Sequence, residues 1–373
     1  TDGALTDTQT LTITVTNVDD VDPVITSNGG GSTGSISFAE NSTSAVTTVT
    51  STDEDNFPGT LYSISGTDAS VFDIDGTSGV LTFKSAPDFE TKIDSNTDND
   101  YIVIVTVTDS GSNTDSQTIT VSVTNVNEAP VITSDGGGST ASISFAENST
   151  SAVTTVTSTD VDAGDTPTYS HSGTDASVFD IDGTSGVLTF KSAPDFETKI
   201  DSNTDNDYIV IVTVTDSGSN TDSQTITVSV TNVNEAPVIT SNGGGSTASI
   251  SFAENTASAV TTVTSSDVDA GATAAYSISG TDAADFNINS SSGALTFASP
   301  PNFEGAVDSN TDNDYIVIVT VTDGALTDTQ TLTIIVTDVN EVPTDISLSF
   351  TSVNENESIG TIVSSLNSTD VDA

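Results

Sequence analysis

The sequence contains no cysteine, no tryptophan and no methionine, and it has one histidine and four cationic residues among 373. Without cysteine there is no disulfide framework, no thiolate metal site and no cysteine nucleophile. A single histidine, His171, argues against a histidine-based catalytic centre and against zinc. The four cations, Lys84, Lys92, Lys191 and Lys199, face 54 carboxylates, and the formal net charge is −50. They are too few to displace counterions from a nucleic acid. An anionic membrane surface would repel the chain, and no apolar run reaches the ~18 residues that a spanning helix needs. Charged residues make up 16% of the chain, below the ~25% of ordinary globular proteins. The chain is therefore one-signed rather than charge-rich, and its carboxylates oppose compaction unless something cationic is bound.

What is present is a repeat. Phe38-Ala39-Glu40-Asn41 recurs at Phe145–Asn148 and again at Phe252–Asn255, each step being 107 residues. Asp88-Phe89-Glu90 recurs as Asp195-Phe196-Glu197 and, altered, as Asn302-Phe303-Glu304. Tyr101, Tyr208 and Tyr315 keep the same step, and residues 66–134 are identical to 173–241. The expected organisation is the C-terminal strands of one repeat over 1–22, complete repeats over 23–129, 130–236 and 237–342, and the opening of a further repeat over 343–373. The chain reads as a segment of a longer array. A period near 107 suits one small domain rather than a solenoid coil.

Within a repeat, apolar and polar residues alternate between clusters of Gly, Asp, Asn and Ser, the mark of β-strands and turns. In the first repeat seven strands are expected near 35–38, 45–51, 60–65, 71–74, 79–84, 101–108 and 117–124. The stretch from Tyr101 is apolar on both faces at its start, which places it centrally in its sheet. The fold class is all-β, with tandem seven-stranded, Ig-like Greek-key β-sandwiches set along a rod. Strands of ~8–10 residues at ~3.3 Å each, with poles and linker added, give roughly 40–45 Å per repeat.

If successive strands alternate in direction, the acidic residues fall at the two poles. Glu40, Asp88 and Glu90 lie at one end, and Asp53, Asp55 and Asp109 at the other. The linker Asn125–Pro130 leads from the first end into the next repeat. Stacking repeats then gathers Glu40, Asp88, Glu90, Asn127, Glu128, Asp160, Asp162 and Asp216 at the first complete junction. The second gathers Glu147, Asp195, Glu197, Asn234, Glu235, Asp267, Asp269 and Asp323. The third gathers Glu254, Glu304, Asn340, Glu341, Asp370 and Asp372, and Asp20 joins Asp53, Asp55 and Asp109 at the start of the chain. Unpaired carboxylates in that number need cations. A purely oxygen donor set with many carboxylates selects calcium over magnesium or zinc.

A second acidic element, Asp94, Asn96, Asp98 and Asp100, repeats as Asp201, Asn203, Asp205, Asp207 and as Asp308, Asn310, Asp312, Asp314. Alternate oxygen side chains in a tight loop match the first positions of an EF-hand loop, but its Gly at position 6 and Glu at position 12 are missing. The loop holds its own ion, extends the junction cluster, or is a solvated turn.

These motifs resemble those of the cadherin repeat. Phe-Ala-Glu-Asn is similar to its first acidic motif, Asp-Phe-Glu to its mid-domain motif and Asn-Val-Asn-Glu-Ala-Pro to its linker. Asp160-Val161-Asp162 is similar to its Asp-x-Asp motif, and the Asp of Val214-Thr215-Asp216 to its penultimate-loop acid. The resemblance covers essentially the whole chain. It implies calcium at the junctions, extracellular adhesion and no catalysis, with other copies of the chain or a surface ligand as further partners. The Ser/Thr/Asp surface and near-identical units resemble the long arrays of bacterial surface adhesins, where a filament, sheath or biofilm matrix is the alternative role. Animal strand-swap adhesion would want a tryptophan. Two departures stand out: the linker Asn17–Pro23 has one extra residue, and Asn302 replaces an acid.

Other features read as structure. Phe38, Phe72, Phe83 and Phe89 are core, Asp73–Gly76 is a turn, and Gly29–Gly31 is a loop with no helix after it to cradle a phosphate. His171 stands where Ile64 and Ile278 stand, a partly exposed position.

Overall fold

The computed structural model describes residues 3–55 and 57–372. The first repeat has nine strands: β1 (Val24–Ile25), β2 (Thr33–Ala39), β3 (Ala45–Thr48), β4 (Ser51–Thr52), β5 (Leu61–Ser65), β6 (Phe72–Ile74), β7 (Val80–Phe83), β8 (Asp100–Thr108) and β9 (Thr114–Thr124). Two sheets face each other, in the orders β2-β9-β8-β5 and β3-β7-β6, and β1 pairs with β4. Short 3-10 turns such as Ala69–Val71 are the only helical elements among the described residues.

Strand β8 is central, between β9 and β5. Tyr101, Val103, Val105 and Val107 are fully buried on one face, while Ile102, Ile104, Thr106 and Thr108 are half-buried on the other. This is the period of two that a pleated strand imposes. Between the sheets Phe83 stacks on Phe72 with centroids 4.3 Å apart and meets Tyr101 edge-on at 5.3 Å. Fully burying a side chain of this size stabilises by about 1.5–3 kcal/mol. Close approach of the sheets needs glycine at one turn. Gly79 has φ +71°, and a Cβ there would lie 2.2 Å from the Val49 carbonyl oxygen.

Beyond the additional short strand β1, the strand pattern differs from the expected seven in two ways. First, β2 runs parallel to β9, from Thr33 opposite Thr118 to Ala39 opposite Thr124, so the sandwich is not wholly antiparallel. Second, the expected strand over 45–51 is split. Its β3 half pairs with β7 and its β4 half with β1. Between them Val49 is fully buried and its amide donates to Gly79, so the chain passes from one sheet edge to the other.

The third repeat repeats the plan with β19 (Val238–Ile239), β20 (Thr247–Ala253), β21 (Thr261–Thr262), β22 (Ser265–Ser266), β23 (Ala275–Ser279), β24 (Phe286–Ile288), β25 (Ala294–Phe297), β26 (Asp314–Thr322) and β27 (Thr327–Thr337). The second repeat carries the corresponding strands β10 to β18, from Val131–Ile132 to Thr221–Thr231. The chain forms two compact units. One holds the residues up to Ile143 with Ser151–Lys191 and Ile209–Val228; the other holds Ser144–Thr150, Ser192–Tyr208 and the chain from Ser229 onward.

The described residues before Val24, expected to hold strands, form none, and Leu11, Ile13 and Val15 are exposed. The same Thr-Leu-Thr-Ile pattern in β27 is paired with β20 and β26, and an unpaired strand has no ladder to hold it. Beyond 343 a two-strand ladder forms, β28 (Asp345–Leu348) with β29 (Leu366–Thr369), all exposed.

Candidate metal centre

Strand ends deliver the acids. Glu40 follows β2, which ends beside the end of β9, and the start of β8 lies at the same end of the sheet, Asp100 opposite Ser122. Asp53 follows β4 and Asp109 follows β8, at the opposite end. The parallel β2–β9 pairing is what puts Glu40 and the linker at one pole.

Within the first unit the linker is gripped from both sides. Glu40, only 3% exposed, accepts the Phe89 amide on Oε2 at 2.7 Å and the Val126 amide on Oε1 at 2.8 Å. Asp162 accepts the Glu128 amide at 2.7 Å and the Asn125 side-chain amide at 2.7 Å. Asp216 accepts the Asn127 side-chain amide at 2.7 Å. Carboxylate oxygens of Glu40, Asp88 and Glu90 lie within 4.8 Å of one another, as do those of Glu90, Glu128 and Asp162, and those of Asp160, Asp162 and Asp165. Glu90 and Asp162 belong to two groups each, so the three form one continuous chain of carboxylates.

The second unit repeats this. Glu147, Glu197 and Glu235 cluster, and Glu147 accepts the Phe196 and Val233 amides. Asp269 accepts the Glu235 amide, its neighbour Asp267 accepts the Asp269 amide, and Asp323 accepts the Asn234 side chain. Asp195 lies near enough to raise the Glu235 pKa. Farther on, Glu254 accepts the Phe303 and Val339 amides, Asp372 accepts the Glu341 amide, Asp370 accepts the Asp372 amide, and Asn340 donates to the Glu341 carbonyl. Glu304 lies within the field that raises Glu341.

At the start of the chain Asp19, Asp53 and Asp109 cluster. Asp55 accepts the amides of Asp20 and Val21 at 3.0 and 2.7 Å. Asp20 thus keeps the backbone place of Glu128, but its side chain is exposed, and Asp19 joins Asp53 and Asp109 in its stead. The extra residue before Pro23 alters the linker there.

The electrostatics are those of carboxylates held together. Desolvation first, and then neighbouring carboxylates, push Glu90, Glu128, Glu197 and Glu235 above the ordinary glutamate value. Glu341 is pushed up to about 7, chiefly by a hydrogen bond shared with Asp372 that requires a proton. Backbone amides of Ala325 and Leu326 hold Asp323 down.

The residues fit a hard cation by one repeated observation. A linker carboxylate oxygen and an Asp-x-Asp oxygen are each buried without a hydrogen-bond partner, Glu128 Oε2 with Asp160 Oδ2 and Glu235 Oε2 with Asp267 Oδ2; Glu341 Oε2 and Asp372 Oδ1 have no donor either, apart from the proton the two carboxyls would share. Asp19 Oδ1 and Asp53 Oδ2 repeat the pattern at the start of the chain. A buried charged oxygen with no donor is costly. Every side-chain donor atom in these clusters is oxygen, which suits calcium.

The Asp94 loop has a different geometry. The Asp94 carboxylate accepts the Asp98 and Asn99 amides, Asp98 accepts the Asn96 side chain and the Asp100 amide, and Asp100 accepts the Ser122 hydroxyl. Asp201, Asn203, Asp205 and Asp207 make the corresponding internal bonds, as do Asp308, Asn310, Asp312 and Asp314. The amide bonds to Asp94 outweigh its desolvation and hold its pKa down. The loop is a turn braced by its own acids.

Three features lie outside the acidic motifs read from the sequence, and of these Asp68 and Gly218 recur with the repeat, as Asp175 and Asp282 and as Gly111. Asp165 joins the cluster of Asp160 and Asp162, although Pro58 and Ala272 occupy its position in the other repeats. A cavity of about 310 Å³ opens beside it, lined by Pro130, Pro167 and Asp216 as well. Asp68, 4% exposed, accepts the Ser95 and Ile102 amides and so ties the acidic loop to β8. Gly218 packs on the linker, since a Cβ there would lie 2.5 Å from the Asn127 side chain. The Asp73–Gly76 turn is as expected, with Asp75 accepting the Thr77 and Ser78 amides, and half-buried His171 shares a 3.2 Å hydrogen bond with the Ala176 carbonyl.

Residues 34–124 and 141–231 each match the family model of the cadherin domain. Tandem cadherin repeats are thereby supported. Solved structures agree on the fold. Mouse Cadherin-23 EC22-24 has a TM-score of 0.52 at 20% identity, over 86% of this chain and 100% of that one. The Protocadherin GammaB4 extracellular domain has a TM-score of 0.54 at 20% identity, over 96% of this chain and 57% of that one. The Protocadherin gammaB7 EC3-6 cis-dimer structure has a TM-score of 0.52 at 21% identity, over 94% and 84%. None of the curated proteins compared with the chain matches it. At these identities the likeness to solved cadherin repeats is one of fold. No helix among the described residues is long and apolar enough to cross a membrane.

Proposed function

We propose that this chain is a spacer of an extracellular adhesion protein, stiffened by calcium at the junctions between its cadherin repeats. The observation that carries the reading is the recurrent pair of buried, unpartnered carboxylate oxygens, one from the linker and one from the Asp-x-Asp turn. At the first complete junction Glu40, Asp88, Glu90, Asn127, Glu128, Asp160, Asp162 and Asp216 would hold the metal. Calcium, when bound, supplies the positive charge these oxygens lack and joins groups from successive repeats. The chain's own residues do the rest. Glu40 and Asp162 fix the linker backbone, and Asn125 and Asn127 hold Asp162 and Asp216 in place. The Asp94, Asp201 and Asp308 loops then serve as braced turns. In bacterial arrays of this composition the role is reach, holding a binding domain away from the cell.

Small-angle scattering with calcium and with chelator tests this. The expected result is a loss of length and stiffness on chelation. An unchanged scattering curve would sink the proposal. Replacing Glu40, Glu90 and Glu128 together by Gln should loosen only the first complete junction.

A further inference from the structure

We propose that the third repeat holds a pocket for a small alkylammonium ligand, built around Asp285. A cavity of about 350 Å³ opens there, lined by Phe297, Pro300, Pro301, Val307, Tyr315 and Asp285. None of the junction acids of its own repeat lines it, although Asn302, at the position of Asp88, does.

The first repeat shows what changed. Its corresponding cavity is about 200 Å³ and is lined by Val71, Phe83, Lys84, Pro87 and Ile93. There the Lys84 ammonium donates to the Ser70 carbonyl at 2.8 Å and pairs with Asp73 at 3.9 Å. In the third repeat Ala298 replaces Lys84, Asn287 replaces Asp73, and Gly305 replaces Thr91. The internal cation, its partner acid and a side chain at the rim are all gone, and the space is larger. In the same repeat Asp285 replaces Val71, so a carboxylate enters where an apolar group stood.

That carboxylate is left without a donor. The Asp285 backbone is satisfied, its amide on Asp282 and its carbonyl on the Ala298 amide at 2.7 Å. No hydrogen bond or ion pair from the described residues reaches its side chain. Two further carboxylates stand behind it. Asp282 holds the Ser309 and Ile316 amides, and Asp308 holds the Asp312 and Asn313 amides. Desolvation, with the charges of Asp282 and Asp308, pushes the Asp285 carboxyl up. One free carboxylate, with Ser299, Asn302 and the Tyr315 hydroxyl as the other polar groups of the lining, cannot satisfy calcium, which takes six to eight oxygens. An ammonium head on an aliphatic stem satisfies both parts of the site: charge for Asp285, and apolar surface for Phe297, Val307 and the prolines.

The test is a titration of the whole chain with n-pentylamine, followed by amide NMR shifts in 150 mM sodium chloride with excess calcium. Salt and calcium suppress unspecific attraction to the acidic surface. Saturable shifts at Ala298, Gly305 and Val307 are expected, with no such response to neutral n-pentanol. Asp285→Val should weaken the response at least about tenfold, and this variant restores the residue the first repeat carries. Ala298→Lys, which restores the internal cation, should also remove it. The proposal is overturned if these amides do not saturate, if the response survives Asp285→Val, or if Lys84, Thr91 and Ile93 respond alike. Shifts that follow protein concentration without amine would assign the pocket to a lysine of a second copy and overturn the small ligand.

Discussion

Glu128 donates its backbone amide to the Asp162 carboxylate at 2.7 Å, while its own Oε2 is buried with no partner. The linker is therefore tied to the following repeat through its main chain, and its side chain keeps one carboxylate oxygen without a donor, as the proposed calcium site requires. Glu128→Gln keeps the main-chain tie and removes the charge. Calcium affinity at this junction should fall by at least about tenfold, or about 1.4 kcal/mol. Stability without calcium should hold or rise, because repulsion from Glu40 and Asp162 is relieved. Calorimetric calcium titration and melting with and without chelator check both. Equal loss of stability in the two conditions would contradict the metal-ligand role.

The pH dependence follows from the upward shifts. A carboxyl whose folded pKa lies above its unfolded value binds its proton more tightly in the fold. The contribution of these raised carboxyls to the calcium-free fold should therefore be fully present below the ordinary glutamate value of 4.5 and be lost as pH rises, up to about 7 at Glu341, while Asp94 and Asp323, which are held down, lose theirs on the acid side. Calcium needs the charged form, so its affinity should rise over the same window. Adding calcium in weak buffer should release more protons at pH 6 than at pH 8. Equal release at both would contradict the shared proton of Glu341 and Asp372.

Much of this site was legible in the sequence because strand direction is regular. Glu40, Glu90 and Glu128 share a pole because β2, β7 and β9 each run toward it, a parity visible before any coordinates. The residues that escaped lack that regularity. Asp68 lies in Gly-Thr-Asp-Ala, which has the composition of any turn, and only the folded path of β8 brings Ile102 to it. The acids of the Asp94 loop were readable as ligands or as turn formers, since the same oxygens accept from a cation or from an amide. Asp165 occurs in one repeat only and falls outside a pattern found by repetition. The split between β3 and β4 escaped because Val46 and Val49 are both apolar, and local alternation does not record a change of sheet.

Asp68 is a structural acid, and it should behave unlike the junction acids. Its two oxygens accept the Ser95 and Ile102 amides, and it is almost fully buried. Asp68→Ala leaves the Ser95 and Ile102 amides without this acceptor, and hydrogen bonds to a charged group contribute about 1.5–3 kcal/mol each. Hydrogen exchange at Ile102 should accelerate accordingly, and the first repeat should melt earlier with or without calcium. The calcium midpoint at the junction after it should stay in place. A shift of that midpoint comparable to Glu128→Gln would put Asp68 among the ligands instead.

Asp165 makes the first complete junction differ from the second. Its carboxylate lies within 4.8 Å of those of Asp160 and Asp162, and Ala272 stands in its place beside Asp267 and Asp269. One more negative charge near a cation site strengthens attraction, and the site's high carboxylate content raises repulsion when the site is bare. The two junctions should therefore fill in order, the one with Asp165 first. Asp165→Ala should lower its affinity severalfold and bring the two together, with a small gain in calcium-free stability. Ala272→Asp should raise the affinity of the second junction by a similar factor. Site-resolved calcium titration by NMR, using the amides of Ala163 and Ala270 as reporters, reads both. If the two reporters titrate together in the unaltered chain, Asp165 is a surface acid and contributes nothing to the metal site.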